Sequence, residues 1–147
     1  PGVAMSDRVS ADQWVETIAD LVGGGRVIWS GDWPVSRNVA GYYGNAYQYH
    51  EPGDGSGKYT WEVELLEPGS YEVLAWWTEA GDRATNTPYT VQARDGSHTV
   101  CVNQQKQGAR WVSLGTYAFD VGKARVTLSD DADGVVIADA VRFRKMQ

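Results

Sequence analysis

The chain has 147 residues and a mass of 16.1 kDa, which fits one domain better than two. Its apolar fraction of 42% and charged fraction of 22% are those of a globular protein, and no apolar stretch reaches the ~18 residues of a membrane-spanning helix. Lys and Arg number 13 against 19 Asp and Glu, and the resulting net charge of −6 argues against nucleic acid or an anionic membrane as the main partner.

A short helix over residues 11–22 is the first predicted element. Ser10 suits its N-cap, and the triple glycine that begins at Gly23 ends it. Its apolar side chains recur at i, i+4, i+7 and i+8 and so share one face: Trp14, Ile18, Leu21 and Val22. We therefore expect a tail with a short helix over residues 1–25, followed by a β-sandwich over residues 26–147.

Strands and turns dominate the rest of the sequence. Between Lys58 and Leu66, apolar residues alternate with polar ones, and the apolar set is Tyr59, Trp61, Val63 and Leu65. This period of two predicts a strand with one buried face. The segment from Ser70 to Thr78 is apolar on both faces, which predicts a central strand or one whose outer face is covered.

Turn signals divide the second half of the chain. Asp95-Gly96 lies between two extended segments and predicts a β-hairpin. Three further extended segments follow, at residues 111–119, 124–129 and 135–143. With turns roughly every eight to twelve residues, this pattern is typical of an all-β sandwich.

Flat aromatic side chains are frequent, with 7 Trp and 8 Tyr. Both residue types join an apolar ring to a polar edge, which suits stacking against a sugar ring. The densest group lies between residues 29 and 49. From it we predict three ring platforms and three polar side chains that orient a glycan: Trp33, Tyr42 and Tyr43, with Asn38, Asn45 and Gln48. The alternative interpretation is that these rings fill the core and the ends of the sandwich.

A cluster of acids near the C-terminus suits a cation. Asp130, Asp131 and Asp133 precede Gly134, and oxygen ligands at such spacing fit Ca²⁺. The EF-hand pattern is incomplete, however, and a polar turn between two strands explains the cluster equally well. A structural calcium ion is thus one of two interpretations, and the sequence predicts no other cofactor.

Asp139 differs from these acids because it lies within the apolar segment 135–141, where burial is expected. A buried carboxylate needs a partner, since an unpaired one costs several kcal/mol. Arg83 and backbone N–H groups are the candidates, and we expect Asp139 to specify the core rather than to act as a catalytic acid.

Local catalytic signatures are missing from the sequence, although a triad or a pair of acids can also be assembled in space by the fold. Residues 53–58 are glycine-rich but lack the spacing and the hydroxyl residue of a phosphate loop. His98 and Cys101 are three apart on a predicted strand, so they point to opposite faces and cannot pair as base and nucleophile. Cys101 is the single cysteine, which excludes an internal disulfide, and we expect it to be a small buried apolar residue.

A series of short segments, in order along the chain, matches the pattern of one domain family: Gly41-Tyr42-Tyr43-Gly44, Gly69-Ser70-Tyr71-Glu72-Val73, Trp76-Trp77, Arg83 to Val91, Val102 to Gln105, Trp111 to Tyr117, Leu128 to Asp131 and Val136 to Phe143. Through these segments, residues 26–143 resemble the golvesin/xanthan-lyase carbohydrate-binding-like domain. The resemblance implies a jelly-roll-type β-sandwich of the galactose-binding kind. Four residues match its polar positions, and these can maintain the fold rather than bind ligand: Asn86, Asn103, Gln104 and Asp139.

In that family the domain is typically a non-catalytic module of secreted bacterial enzymes and surface proteins. The resemblance therefore implies an extracellular or cell-surface module that binds a polysaccharide, although no signal peptide is visible in this chain. The alternative is a structural or docking domain that binds protein or another copy of itself, because an amphipathic helix and exposed rings also build interfaces. A small hydrolase or lyase is a third hypothesis, which the missing catalytic signatures oppose.

Overall fold

A computed structural model describes residues 14–18 and 25–146, and the described residues are all strands, turns and loops. Twelve strands follow in chain order: β1 Trp14–Ile18, β2 Gly25–Ser30, β3 Val35–Ser36, β4 Tyr47–His50, β5 Lys58–Leu65, β6 Gly69–Trp76, β7 Thr87–Ala93, β8 Gly96–Val102, β9 Val112–Phe119, β10 Gly122–Ser129, β11 Val136–Ala138 and β12 Ala140–Lys145. The predicted all-β class is confirmed.

The strands form two large sheets and one small one. The first has four strands in the order β1-β12-β6-β9, and the second has five in the order β2-β5-β10-β7-β8. The third is short, with the order β11-β4-β3, and every pairing within the sheets is antiparallel. Side chains from both large sheets form one apolar core, as expected of a β-sandwich.

Alternating side chains explain how the sheets enclose this core. On β5 the predicted apolar set is buried: Tyr59, Trp61, Val63 and Leu65. On β6, Tyr71, Val73 and Ala75 point inward, whereas Leu74 and Trp76 are half-buried on the outer face. The outer face of β6 is therefore covered in part, as its two-sided apolar pattern predicts.

The predicted hairpin is present between β7 and β8. Ala93 pairs with Gly96 at its closing end, so that Arg94 and Asp95 form the loop. Gly96 has a φ of 124°, in the region that favours glycine. This turn places β8 at the edge of the five-stranded sheet.

The predicted N-terminal helix is wrong at residues 14–18, which form strand β1. Trp14 pairs with Arg144 and Ile18 with Ala140, so β1 extends the four-stranded sheet beyond β12. The β-branched residues of the segment WVETI favour an extended backbone, and pairing with a sheet edge outweighs the helical spacing of its apolar residues. The remaining residues of the predicted helix lie outside the described residues.

No helix that could span a membrane occurs in the described part of the chain.

Candidate functional site

Two of the predicted sugar-binding residues belong to the core. Trp33 is only 3% exposed, and its Nε1 donates a hydrogen bond to the Ser30 carbonyl oxygen at 2.8 Å. Gln48 is also buried; its Nε2 donates to the Trp33 carbonyl oxygen at 2.8 Å, and its Oε1 accepts from the Tyr59 hydroxyl at 2.7 Å. Because packing covers the Trp33 ring and hydrogen bonds occupy the Gln48 amide, we correct the prediction that these two residues bind ligand.

The other predicted residues lie in the loop between β3 and β4, called here the 37–46 loop. Asn38 and Asn45 are exposed, and Tyr42 and Tyr43 are half-buried. The Arg37 side chain closes the loop, because its Nε donates to the Asn45 carbonyl oxygen at 2.8 Å. Four predicted residues are thus brought together on one surface segment.

Tyr43 packs against two tryptophans that are not among the ring platforms predicted from the sequence. Its ring centroid lies 5.1 Å from that of Trp76 and 5.0 Å from that of Trp111, both in edge-to-face geometry. The two indoles lie 5.4 Å apart, also edge to face. All three rings are half-buried, and we call Tyr43, Trp76 and Trp111 the aromatic cluster. It lies against the outer face of the four-stranded sheet.

Hydrogen bonds fix the aromatic cluster on that sheet. The carboxylate of Asp139 accepts a hydrogen bond from the Tyr43 backbone N–H at 3.0 Å, so a backbone group is a partner of this buried acid, as predicted. Trp76 Nε1 donates to the Gly41 carbonyl oxygen at 2.7 Å. The Arg142 guanidinium lies 4.3 Å from the Trp111 ring centroid, and its Nη2 donates to the Tyr43 hydroxyl at 3.3 Å.

A second loop, residues 103–111, borders the aromatic cluster and is held by Trp77, the residue that follows β6. Trp77 Nε1 donates to the Lys106 carbonyl oxygen at 2.9 Å, and the Trp77 carbonyl oxygen accepts from the Ala109 N–H at 2.9 Å. Gln107 and Ala109 have φ values of 59° and 56°, which non-glycine residues seldom adopt. Gly108 lies between them where a Cβ would come within 2.6 Å of the Glu79 backbone nitrogen. These hydrogen bonds and backbone angles therefore restrict the loop to one conformation beside the aromatic cluster.

Arg83 and Asn86 make contacts that support the predicted structural role. Arg83 is buried and donates from Nε to the Thr78 carbonyl oxygen at 3.1 Å and from Nη1 to Asp82 at 2.7 Å. Asn86 accepts from the Asp133 N–H at 2.9 Å. Both side chains hold loops at the ends of strands.

The three acids proposed for calcium do not converge. The Asp130 carboxylate is buried and accepts from the Gly55 N–H at 2.8 Å, whereas Asp133 turns toward Thr85 and accepts from its N–H at 2.7 Å. Hydrogen bonds from Thr85 also hold the pKa of Asp133 below its ordinary value. Asp131 is exposed. No group of three or more His, Cys, Asp or Glu side chains suited to a metal occurs among the described residues.

Three other side chains with reactive groups are either exposed or bonded to a neighbouring side chain. His98 pairs with Asp95 at 2.7 Å on the surface, which lowers the pKa of Asp95. Cys101 is exposed, so the prediction that it is buried is wrong: its position on β8 faces away from the core. Burial raises the pKa of the Tyr89 hydroxyl, which stays protonated and accepts a hydrogen bond from Gln104 at 3.0 Å.

Xanthan lyases are similar to this chain in both sequence and structure. A xanthan lyase of Bacillus sp. (strain GL1) is 33% identical to this chain over 132 residues, which are 86% of this chain and 14% of that protein. The chain therefore spans about one seventh of the length of this relative. A structure of Paenibacillus xanthan lyase superposes with a TM-score of 0.84 at 31% identity, and covers 92% of this chain and 13% of that one.

A more distant likeness extends to a carbohydrate-binding module. The structure of Xyl-CBM35, solved with a disaccharide that contains glucuronic acid, superposes with a TM-score of 0.65 at 15% identity. It covers 90% of this chain and 94% of that one, so the two share the whole fold. The sequence family described as the golvesin C-terminal domain matches residues 17–145. The chain therefore belongs to the golvesin C-terminal domain family.

Proposed function

We propose that this chain is a non-catalytic module that binds a polysaccharide and is part of a larger secreted protein. Three facts support the proposal: membership of the golvesin C-terminal domain family, the small share of a xanthan lyase that the chain matches, and the fold that it shares with Xyl-CBM35. We infer an extracellular location from the same similarities.

The aromatic cluster is the observation that carries the proposal. Three half-buried rings meet at about 5 Å on the outer face of a sheet, with exposed Asn38 and Asn45 in the adjoining loop. Apolar C–H faces of a sugar stack on such rings, and amide side chains hydrogen-bond its hydroxyl groups. Tyr42 remains a predicted platform, and it packs 6.2 Å from the buried Tyr47.

The hydrogen bonds that the buried carboxylates accept favour a binding function over a catalytic one. Among the described residues, the buried carboxylates of Glu62, Asp130 and Asp139 each accept hydrogen bonds from arginine side chains or backbone N–H groups. A glycosidase needs two carboxyl groups that flank its substrate, one of them able to give up a proton. These three acids serve the fold instead.

Affinity electrophoresis in native gels tests the proposal. Gels that contain one soluble polysaccharide each (xanthan, galactomannan, dextran and hydroxyethyl cellulose) should include at least one that retards the protein. Trp111→Ala should weaken that binding about tenfold, because one ring of the aromatic cluster is lost. Leu66→Ala is the control, since Leu66 is 83% exposed in a turn apart from the cluster. Equal retardation of Trp111→Ala and the parent protein would contradict the proposal, as would no retardation in any gel.

Self-association remains the alternative prediction. The exposed side chains Ile28 and Trp29 on the edge strand β2 are the observation that favours it. Light scattering of the parent protein and of Trp29→Ala measures this directly. A monomer in both forms would argue against a docking role.

A further inference from the structure

We propose a second sugar-binding site at the edge of the five-stranded sheet, formed by Trp29 and a pocket beside His50, that takes an uncharged saccharide. The ligand class rests on the proposed function. The residues, however, are different from the aromatic cluster and belong to the other large sheet.

Trp29 is the first part of this site. It is 48% exposed, more than any other tryptophan of residues 26–146. Its ring stacks nearly parallel on Tyr59, with an interplanar angle of 8° and centroids 5.8 Å apart. Since Tyr59 covers one side of the indole, the exposed area lies on the opposite side and the edge. This is the geometry of a stacking platform.

The platform has a rigid base. Tyr59 is fully buried, and its hydroxyl donates to Gln48 at 2.7 Å. Its ring also contacts Trp33 at 5.4 Å, and Trp33 in turn contacts His50 at 5.0 Å. A continuous line of packed rings therefore connects the exposed Trp29 to His50, so that both keep fixed positions relative to each other.

A pocket lies at the His50 end of this line. It has a volume of about 320 Å³, is open to solvent, and is lined by Asp32, Pro34, Tyr49, His50 and Glu51. Tyr49 and Pro34 contribute apolar lining, and the two acids of the lining, Asp32 and Glu51, are exposed to solvent. Neither carboxylate makes an ion pair or a side-chain hydrogen bond within the described residues.

The chemistry of this pocket selects its ligand. Different units of one saccharide chain can stack on Trp29 and on Tyr49, and hydroxyl groups of the unit in the pocket can donate hydrogen bonds to the two carboxylates. A uronic acid would bring a negative charge to the same carboxylates, on a chain of net charge −6. The site therefore favours uncharged sugars and disfavours acidic ones.

His50 is oriented for this role by its own neighbours. Its Nδ1 lies 2.6 Å from the Glu51 carbonyl oxygen and 3.3 Å from the Asp130 carboxylate. Two acceptors around Nδ1 require a proton there, so the neutral ring carries its acceptor at Nε2. The imidazole thus forms a fixed polar wall of the pocket.

Nuclear magnetic resonance of the indole N–H groups separates the two sites. The 15N-labelled protein is titrated with the uncharged hexasaccharides of mannose, cellulose and isomaltose, and with an oligogalacturonate. Each indole signal is assigned by Trp→Phe substitution. We expect the Trp29 signal to shift with at least one uncharged hexasaccharide and not with the oligogalacturonate.

Variants test the same site by affinity. Trp29→Ala should weaken binding of the hexasaccharide about tenfold, and Asp32→Asn with Glu51→Gln should weaken it at least threefold. Ile28→Ala is the matched control, because Ile28 is the exposed neighbour on the opposite face of β2. The control should bind as the parent protein does.

The possible outcomes are distinct. A shift of the Trp111 or Trp76 signal without one at Trp29 overturns this inference and leaves the proposed function standing. A Trp29 shift with the oligogalacturonate alone overturns it as well. If no indole signal shifts with any of the saccharides, both proposals fail.

Discussion

The side-chain amide of Gln104 pairs with the backbone of Ile137 as a neighbouring strand would. Its Nε2 donates to the Ile137 carbonyl oxygen at 3.0 Å, and its Oε1 accepts from the Ile137 N–H at 2.9 Å. Both residues are fully buried. One side chain therefore satisfies two backbone groups at the edge of the short strand β11 that is not paired with β4.

Replacement of this amide should be costly. Gln104→Leu leaves the N–H and C=O groups of Ile137 buried without partners, and we expect a loss of about 2–4 kcal/mol in the free energy of unfolding. Urea unfolding followed by fluorescence measures it. Gln92→Leu is the control, because Gln92 is exposed and its amide oxygen accepts a hydrogen bond from the Ser97 hydroxyl at 2.9 Å. Equal stability of the two variants would contradict the role assigned to Gln104.

Glu62 should make stability depend on pH. It is 4% exposed and lies between Arg26 at 2.7 Å and Arg125 at 2.6 Å, and hydrogen bonds from these arginines hold its pKa below the ordinary value. A lowered pKa in the folded state stabilises the protein above the ordinary range of carboxyl groups, and this contribution is lost as the pH falls through the folded-state pKa.

Glu62→Gln should therefore reduce the free energy of unfolding by about 1 kcal/mol at pH 7, a modest value because both arginines are about half exposed to solvent. The difference from the parent protein should shrink toward pH 2.5, as measured by urea unfolding at both values. Glu64→Gln, on the same strand with an exposed side chain, should show no such dependence. A difference that is constant with pH would exclude the ion pairs as its cause.

The position of the Asp130 side chain should exclude any residue larger than glycine at position 57. A Cβ on Gly57 would come within 2.5 Å of the Asp130 Oδ2 atom, and this carboxylate is buried and held by the Gly55 N–H. We expect Gly57→Ala to cost about 1–3 kcal/mol, measured as a lower thermal midpoint. Gly81→Ala is the matched control, because nothing lies within 4 Å of its added Cβ. Tolerance of Gly57→Ala would show that Asp130 has room to move.

Loss of the Asp139 carboxylate should loosen the aromatic cluster. Asp139→Ala removes the acceptor of the Tyr43 N–H at 3.0 Å, and we expect a loss of about 2 kcal/mol in stability together with weaker polysaccharide binding. Urea unfolding and affinity electrophoresis give the two readouts. Asp120→Ala, which removes an exposed partner of Arg94, should change neither by a comparable amount. Unchanged binding by Asp139→Ala would separate this acid from the cluster.

The period of two predicts much of the fold, because it depends only on which side chains face the core. It predicts the buried residues of β5, and the Asp-Gly pair separately predicts the turn at Asp95-Gly96; both predictions are confirmed. The strand at residues 14–18 was missed, since its partner β12 is about 125 positions further along the chain. Local spacing contains no information about such a pairing.

The exposure and the contacts of the aromatic residues cannot be predicted from local spacing either. Trp29 and Trp33 lie in one aromatic-rich segment, yet one is half exposed and the other buried. Gly31 lies between them with a φ of 80°, so the chain turns there and the strand alternation ends. Trp76 and Trp111 meet only because β6 and β9 pair, with a register shift between Val73 and Leu74. Their proximity to Tyr43 depends on that pairing and could not be deduced from spacing.

The two tryptophans at the end of β6 have a consequence for variation among related domains. Trp76 and Trp77 point to opposite sides of the strand, and each fastens a different loop through a main-chain carbonyl oxygen, at Gly41 and at Lys106. A carbonyl group is present whatever amino acid occupies the position. Loop positions without a steric constraint, unlike Gly108, can consequently diverge while the anchorage persists, so new specificities can arise on an unaltered scaffold.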